Sequence, residues 1–363
     1  MDTGPLFSNF KLGRLELSNR IVMAPMTRRF SSGGVPDEAV ARYYRRRAEG
    51  GVGLIITEGT TVHRDAASND TSIPNFHDPH SLRGWSHVVE EVHAAGGRIA
   101  PQLWHQGILR ANGTGPKPGA PSEGPSSNGK ALAMTDSDIA DTISAFASAA
   151  TAARSIGFDA VELHGAHGYL LDQFLWAGAN SRADRYGGNV PARTLFAAEV
   201  VRAVREAVGE DFPLIFRFSQ WKLQDYSARL ASSPFELEEI VGPLADAGVS
   251  VFHASTRRFW EPEFEGASLN LAGWTRKLTG RPTISVGSVG LGGGDFLEQL
   301  RGSSTEAPIG TLDELVARMR SEEFDLIAVG RALISDPDWP AKIRDGRWSE
   351  LQPFYKEELQ RLI

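Results

Sequence analysis

Cysteine is absent from this sequence of 363 residues, and its absence excludes three kinds of chemistry. The chain can form no disulfide, present no thiolate nucleophile and ligate no iron–sulfur cluster through cysteine. Long apolar runs are missing too, and none approaches the roughly 18 residues that a membrane-spanning helix needs. The first residues lack the basic and apolar regions of a secretory signal. We therefore expect a cytoplasmic protein with no membrane partner.

Acidic residues outnumber basic ones, 45 to 38. The formal net charge is −7 and no basic run stands out, which argues against nucleic acid as a partner. Hydrophobic residues make up 41% of the chain and charged residues 23%, so a sizeable core is available. The length suits one decorated β/α barrel. We expect residues 1–363 to form a single domain.

Eight short apolar runs alternate with amphipathic stretches, at intervals of roughly 30–60 residues. The predicted strands are residues 19–27, 52–58, 98–103, 159–163, 213–218, 249–253, 282–286 and 324–329. The predicted helices are residues 36–49, 81–95, 136–155, 191–208, 234–247 and 312–320, with a shorter amphipathic stretch at 170–177. This alternation predicts the α/β class and a (β/α)8 TIM barrel. A doubly wound sheet is the alternative, but it would require a glycine-rich turn where the sequence has Pro25, Met26 and Thr27.

Three further segments complete the predicted barrel. Residues 10–17 alternate apolar and polar side chains around Gly13, which predicts an N-terminal β-hairpin that closes the barrel floor. Residues 107–128 and 287–310 are rich in glycine or proline and follow strands, so we expect elaborated loops on the face that carries the site. Residues 351–363 have the pattern of an amphipathic helix, and their role is open.

A polar cluster follows the fourth predicted strand, with His164, His167 and Tyr169 within six residues of its end. The two histidines could bind a metal, although the chain has no cysteine to complete a soft ligand set. Alternatively, they are core side chains with satisfied hydrogen bonds. We favour a third interpretation, in which two imidazole N–H groups bind one substrate oxygen and the phenol donates a proton. This interpretation predicts that the three residues are catalytic and that no metal is bound.

The surrounding residues extend this pattern over a long, irregular motif. ELHGAHGYLLDQFL at 162–175, followed by NSRADRYGG at 180–188, resembles the Old Yellow Enzyme family of FMN-dependent ene-reductases. Those enzymes carry a His-x-x-His or His-x-x-Asn pair, a tyrosine two residues later, and a similar Asn-x-Arg-x-Asp-x-Tyr-Gly-Gly loop. The resemblance covers roughly residues 5–345 and implies bound FMN, with NADH or NADPH as a transient reductant.

The resemblance also assigns roles to residues at other strand ends. Pro25, Met26 and Thr27 would bind the cofactor, and the Thr27 side chain would contact the flavin ring near its carbonyl oxygen and face the substrate. Gly59 would allow the backbone to approach the ring, Gln102 would pair with the pyrimidine half, and Trp104 would line the substrate side. The phosphate would lie between the loops after strands seven and eight, where the matching residues are Gly287, Ser288, Gly330 and Arg331.

Arg217 is the most informative single residue, because a guanidinium inside the apolar run PLIFRF needs an anionic partner. A buried salt bridge would satisfy it; the resemblance instead puts it beside the N1–C2=O edge of the flavin. The run GSVGLGGG at 287–294 lacks the spacing of a dinucleotide fingerprint. A nicotinamide nucleotide would therefore visit the site as a substrate.

The implied reaction is reduction of the C=C bond of α,β-unsaturated carbonyl compounds. Hydride would pass from flavin N5 to the β-carbon, and Tyr169 would protonate the α-carbon. Nitro compounds are a further substrate class, and relatives are often homo-oligomers. Two alternatives stay open: a flavin-dependent dehydrogenase of amines or other small molecules, and a flavin-free phosphate-binding barrel lyase. No strand-end lysine suitable for a Schiff base supports the lyase.

Overall fold

Eight parallel strands close into a barrel in this computed structural model, which describes residues 2–291 and 310–363. The barrel strands are β3 (Ile21–Met23), β4 (Leu54–Thr61), β5 (Ile99–Trp104), β8 (Val161–His167), β9 (Leu214–Lys222), β10 (Val251–Ser255), β11 (Thr283–Val286) and β12 (Leu326–Val329). They follow one another around the ring in this order, and β12 pairs with β3 to close it. The predicted (β/α)8 TIM barrel is confirmed.

Helices surround the barrel, and polar caps explain where several of them begin. Asp37, Asp78, Asn189 and Ser233 each accept a backbone N–H of the first helical turn, and Thr135 forms a capping box with Asp138. The helices are α1 Glu38–Glu49, α2 Pro79–Ala94, α3 Asp136–Ser155, α4 Leu170–Leu175, α5 Val190–Val208, α6 Pro234–Asp246, α7 Leu271–Thr279, α8 Gly310–Arg320, α9 Ala332–Ser335 and α10 Trp339–Arg344.

The N-terminal hairpin forms the floor of the barrel, as predicted. Strands β1 (Phe10–Leu12) and β2 (Leu15–Leu17) pair in antiparallel fashion. Phe10, Leu15 and Leu17 pack against inward-facing apolar side chains of the barrel strands. Burying these side chains removes the bottom of the barrel from water, so the space for a ligand is left at the opposite end.

The structure corrects several predicted elements. The fourth barrel strand extends to His167, so both histidines lie inside the strand; its pairing with β9 shifts register between Gly165 and His167. The first strand is shorter than predicted and the second continues to Thr61. Helix α7, which Asn270 caps, was not predicted. All six residues of α4 are buried, so the predicted amphipathic face is wrong.

The last residues do not form the predicted amphipathic helix. They run as an extended segment into a short 3-10 turn at Lys356–Gln360. Arg28 Nη2 donates to the carbonyls of Glu358 and Arg361, and Arg47 Nη1 donates to the carbonyl of Ile363. Contacts with these two arginines, which lie far away in the sequence, thus help to fix the irregular path.

The two predicted loops differ in what the structure reveals. The loop after β5 contains a short parallel pair, β6 (Ser122–Gly124) and β7 (Ala131–Ala133). Most of the predicted loop at 287–310 lies outside the described residues. No helix in the described part of the chain is long and apolar enough to cross a membrane.

Candidate active site

A cavity of about 380 Å³ opens at the carboxyl ends of the barrel strands. Thirteen of the predicted site residues line it: Pro25, Met26, Thr27, Gln102, Trp104, His164, His167, Tyr169, Arg217, Gly287, Ser288, Gly330 and Arg331. A larger groove, about 820 Å³, lies between α7 and α8 on the outside of the barrel and contains none of them. Because the polar strand ends converge on the smaller cavity, we take it as the functional site.

Gly59 is the predicted site residue that the cavity lining does not include. A Cβ built on Gly59 would lie 2.6 Å from Cε3 of Trp104, so a larger residue would displace the indole. Trp104 itself lines the cavity and is buried. In this structure, Gly59 makes room for the Trp104 side chain, and the position of that side chain sets the width of the cavity.

His164 presents a defined tautomer. Its Nδ1 accepts the backbone N–H of Ala166 at 3.3 Å. Burial, together with the nearby charges of Arg217 and His253, lowers the pKa of His164 well below its usual value, so the ring is neutral. A neutral imidazole that accepts at Nδ1 carries its proton on Nε2. His164 can therefore donate one hydrogen bond from Nε2.

His167 is linked through Ser255 to Arg217. Its Nε2 lies 2.8 Å from Oγ of Ser255, which also accepts a long hydrogen bond of 3.4 Å from Arg217 Nη2. Burial is the main cause that lowers the pKa of His167 well below its usual value, and Arg217 adds to it. The ring stacks on Trp221 with centroids 4.4 Å apart. These contacts hold a second neutral imidazole beside the first, with ring centroids 5.2 Å apart.

Tyr169 completes this wall of the cavity. Its ring lies edge-on to His164 and to Trp104, at 4.8 Å between centroids in both cases. Burial raises the pKa of Tyr169 to about 12. The phenol therefore keeps its proton at neutral pH, which is the state required of a general acid.

Next to these residues, Arg217 has unused capacity to bind an anionic ligand. Arg217 is buried, and its Nε has no hydrogen-bond partner among the described residues. An isolated buried guanidinium nitrogen is costly unless a ligand binds it. An FMN ring, whose N1–C2=O edge accepts hydrogen bonds, would satisfy this atom, so the residues present fit that cofactor.

The predicted phosphate-binding residues line the cavity at the ends of the seventh and eighth strands: Gly287, Ser288, Gly330 and Arg331. A Cβ at Gly330 would meet nothing nearer than Sδ of Met26 at 3.6 Å, so the protein's own packing does not demand a glycine there. At Gly287, by contrast, a Cβ would lie 2.7 Å from Thr256 Oγ1. Ser288 has a positive φ of 53°, and its hydroxyl donates to the carbonyl of Arg257 at 2.9 Å. Arg331 lines the same side of the cavity.

Several residues that line the cavity were not predicted as site residues from the sequence. Ser255 ends β10, and Phe354 and Leu359 come from the C-terminal segment. Trp221 and Tyr226 stack in parallel at 5.4 Å and extend the wall behind His167. A serine in a buried strand carries no distinctive signal. The C-terminal residues could not have been placed because their path depends on contacts with distant arginines.

Comparison with known proteins identifies the family of the chain. The sequence profile of the NADH:flavin oxidoreductase / NADH oxidase family matches residues 5–291. The chain is 36% identical over 360 residues to the NADH oxidase of Thermoanaerobacter brockii, covering 96% of this chain and 52% of that protein. It is 33% identical over 371 residues to a flavin oxidoreductase of Emericella nidulans, covering 94% and 91%. The chain thus spans about half the length of the first of these relatives.

Solved structures show the same architecture. Morphinone reductase in complex with tetrahydroNAD superposes with a TM-score of 0.81 at 27% identity, over 99% of this chain and 97% of that one. The family match and the shared barrel together place the chain in the class of FMN-dependent NAD(P)H oxidoreductases. The chain belongs to the NADH:flavin oxidoreductase / NADH oxidase family, the Old Yellow Enzyme family. FMN is therefore its cofactor, which excludes the flavin-free lyase.

Proposed function

We propose that the protein reduces the C=C bond of α,β-unsaturated carbonyl compounds, with NADH or NADPH as the reductant. One observation carries the proposal: two neutral imidazoles and a protonated phenol lie side by side on one wall of the cavity. Neutral imidazoles can each donate a hydrogen bond without adding a competing charge. They suit an uncharged carbonyl oxygen that gains negative charge during the reaction.

Bound FMN would supply the hydride that reaches the β-carbon. His164 and His167 would bind the carbonyl oxygen and withdraw electron density from the double bond. Tyr169 would then deliver its proton to the α-carbon, and its high pKa keeps that proton available over the whole neutral range. Arg217 would stabilise the negative charge that the flavin gains on reduction.

The lining also bears on amine oxidation, the alternative function. None of the described residues that line the cavity is aspartate or glutamate. A protonated amine would therefore enter a buried site in which none of these residues offers a carboxylate to balance its charge, which is unfavourable. A carbonyl or nitro group, which accepts hydrogen bonds, suits the same lining better.

The test follows the colour of the flavin in purified holoprotein without oxygen. NADPH or NADH should bleach the flavin, and 2-cyclohexenone should then restore the oxidised spectrum while forming cyclohexanone. Cyclohexanone added instead of the enone is the matched control and should leave the flavin reduced. Two results together would overturn the proposal in favour of an amine dehydrogenase: enones and nitroalkenes fail to restore the oxidised spectrum, and only amines bleach the flavin.

A further inference from the structure

Glu162 is a fully buried carboxylate in the interior of the barrel, and the reaction proposed above gives it no part. It lies two residues before His164 in β8, so both side chains point to the same face of the strand. Its partner in register is Gln102 of β5. Burying a carboxylate costs several kcal/mol, so a barrel that only had to be stable would place an apolar residue here.

Both oxygens of Glu162 are occupied by side chains of other strands, Gln102 of β5 and His253 of β10. Gln102 Nε2 donates to Oε1 at 2.8 Å, and His253 Nδ1 lies 2.6 Å from Oε2. His253 is also fully buried, and it stands in register with Arg217 of β9. The carboxylate is thus held between the glutamine that lines the cavity and a histidine beside the buried arginine.

This geometry decides which end of the Gln102 amide faces a ligand. A carboxylate oxygen only accepts hydrogen bonds, so the amide must turn its nitrogen toward Glu162. The amide oxygen is then left as the acceptor of Gln102. An acceptor at this position matches a ligand that presents an N–H group, and the pyrimidine half of a flavin carries one at N3.

Glu162 also sets the charge around the cofactor. Its negative charge favours the ionised form of Arg217, against the effect of burial, which lowers the pKa of that arginine. The positive charge of Arg217, which would face the flavin, is thereby partly compensated by the negative charge of Glu162. Removing the carboxylate would leave the positive charge of Arg217 less compensated, and an anion nearby would become more stable.

We propose that Glu162, held by His253, is a positioning residue for FMN. It orients the Gln102 amide so that the amide oxygen accepts a hydrogen bond from flavin N3–H. Its negative charge also partly compensates the positive charge of Arg217 and thereby sets the reduction potential of the bound flavin. The proposal concerns binding and potential without substrate, so it stands or falls separately from the reduction of enones.

The test measures dissociation constants of oxidised FMN with apoprotein and the midpoint potential of the bound flavin. In Glu162→Gln, reduced FMN should bind at least tenfold more tightly relative to oxidised FMN than it does in the unaltered protein. For a two-electron couple that ratio raises the potential by about 30 mV. An unchanged or lower potential would overturn the proposal, because a merely structural role weakens both redox states alike.

Two further variants separate charge from geometry. Glu162→Asp keeps the charge but shortens the side chain, so FMN affinity should fall while the potential stays near that of the unaltered protein. Thr283→Val, a near-isosteric change at a buried site of β11, should alter neither quantity.

If Glu162→Gln does not fold, the unaltered apoprotein still decides the orientation of the amide. It should bind N3-methyl FMN at least tenfold more weakly than FMN, and equal binding would contradict the hydrogen bond from N3–H.

Discussion

Lys222 and Asp172 form an ion pair of 2.7 Å with both side chains completely buried. The second oxygen of Asp172 accepts the backbone N–H of Gly168 at 2.6 Å, and Lys222 Nζ also donates to the carbonyl of Ser219. His167, the last residue of β8, comes directly before Gly168 and has a positive φ of 64°, which is unfavourable for a non-glycine residue. The pair thus ties β9 to the segment between His167 and Tyr169, two of the catalytic candidates.

Replacing Lys222 by methionine should strongly destabilise the protein. The substitution leaves the Asp172 carboxylate buried without a counter-charge, which costs about 3–5 kcal/mol in free energy of unfolding. Urea unfolding would measure the loss. The double variant Lys222→Met, Asp172→Leu removes both charges and should recover part of the stability; if it is as unstable as the single variant, the ion pair is not the cause.

Tyr169→Phe should slow the oxidative half-reaction and spare the reductive one. The variant lacks the hydroxyl that would protonate the α-carbon, and general acid catalysis contributes about 10²–10⁴-fold. Stopped-flow absorbance measures both steps. Excess 2-cyclohexenone added to the reduced protein gives the rate of the oxidative half-reaction, and NADPH added to the oxidised protein gives the rate of the reductive one. Equal slowing of both steps would show that the phenol shapes the site without donating the proton.

Loss of both imidazoles should weaken the binding of phenolate ligands by at least about 100-fold. Hydrogen bonds to a charged oxygen contribute roughly 1.5–3 kcal/mol each, and His164→Leu, His167→Leu would remove two. Titration of holoprotein with a para-substituted phenol, followed through the change in the flavin spectrum, gives the dissociation constant. As the control, His167→Asn keeps a donor and should bind more tightly than His167→Leu; equal affinities would argue against donation by residue 167.

Stability should fall as the solution becomes acidic, because His164 and His167 are held neutral. Their folded-state pKa values lie well below the usual value near 6.5, so below that pH the unfolded chain binds protons that the folded chain does not. Each histidine should therefore lower the free energy of unfolding by about 1.4 kcal/mol per pH unit in this window. The stabilising contribution is complete above pH 6.5 and is lost as the pH falls toward the folded-state pKa.

Urea unfolding between pH 7 and pH 5 measures this slope. His164→Asn should reduce this slope by the share of one proton. The same slope in the variant and in the unaltered protein would show that other groups cause the loss of stability in acid.

The barrel was predictable because its strands are buried on both faces and so form continuous apolar runs. Arg217 was recognisable as a charge within such a run. Glu162 and His253 are also polar residues within apolar runs. However, Glu162 is the second-last and His253 the last residue of a predicted strand, and polar residues are common at strand ends. Ser255 could not be found, because its importance arises only when Arg217 and His167 are brought beside it.

Helix α7 could not be predicted from the periodicity of apolar residues. It spans nine residues and includes Gly273, which lowers its helical propensity, so its Asn270 cap and tertiary packing must support it. The C-terminal segment shows the reverse case. The spacing of its apolar residues is compatible with a helix, yet its carbonyls accept hydrogen bonds from Arg28 and Arg47, which lie far away in the sequence. Local pattern cannot anticipate either outcome.

The barrel closes where β12 pairs with β3, and this has a consequence during protein synthesis. Pro25 and Met26 leave the ribosome early, whereas Gly330, Arg331 and Phe354 emerge about three hundred residues later, yet all of them line one cavity. The seam can form only after the last strand has been made, since contacts of such long sequence separation assemble late. A nascent chain should therefore be unable to capture its flavin until translation has passed β12.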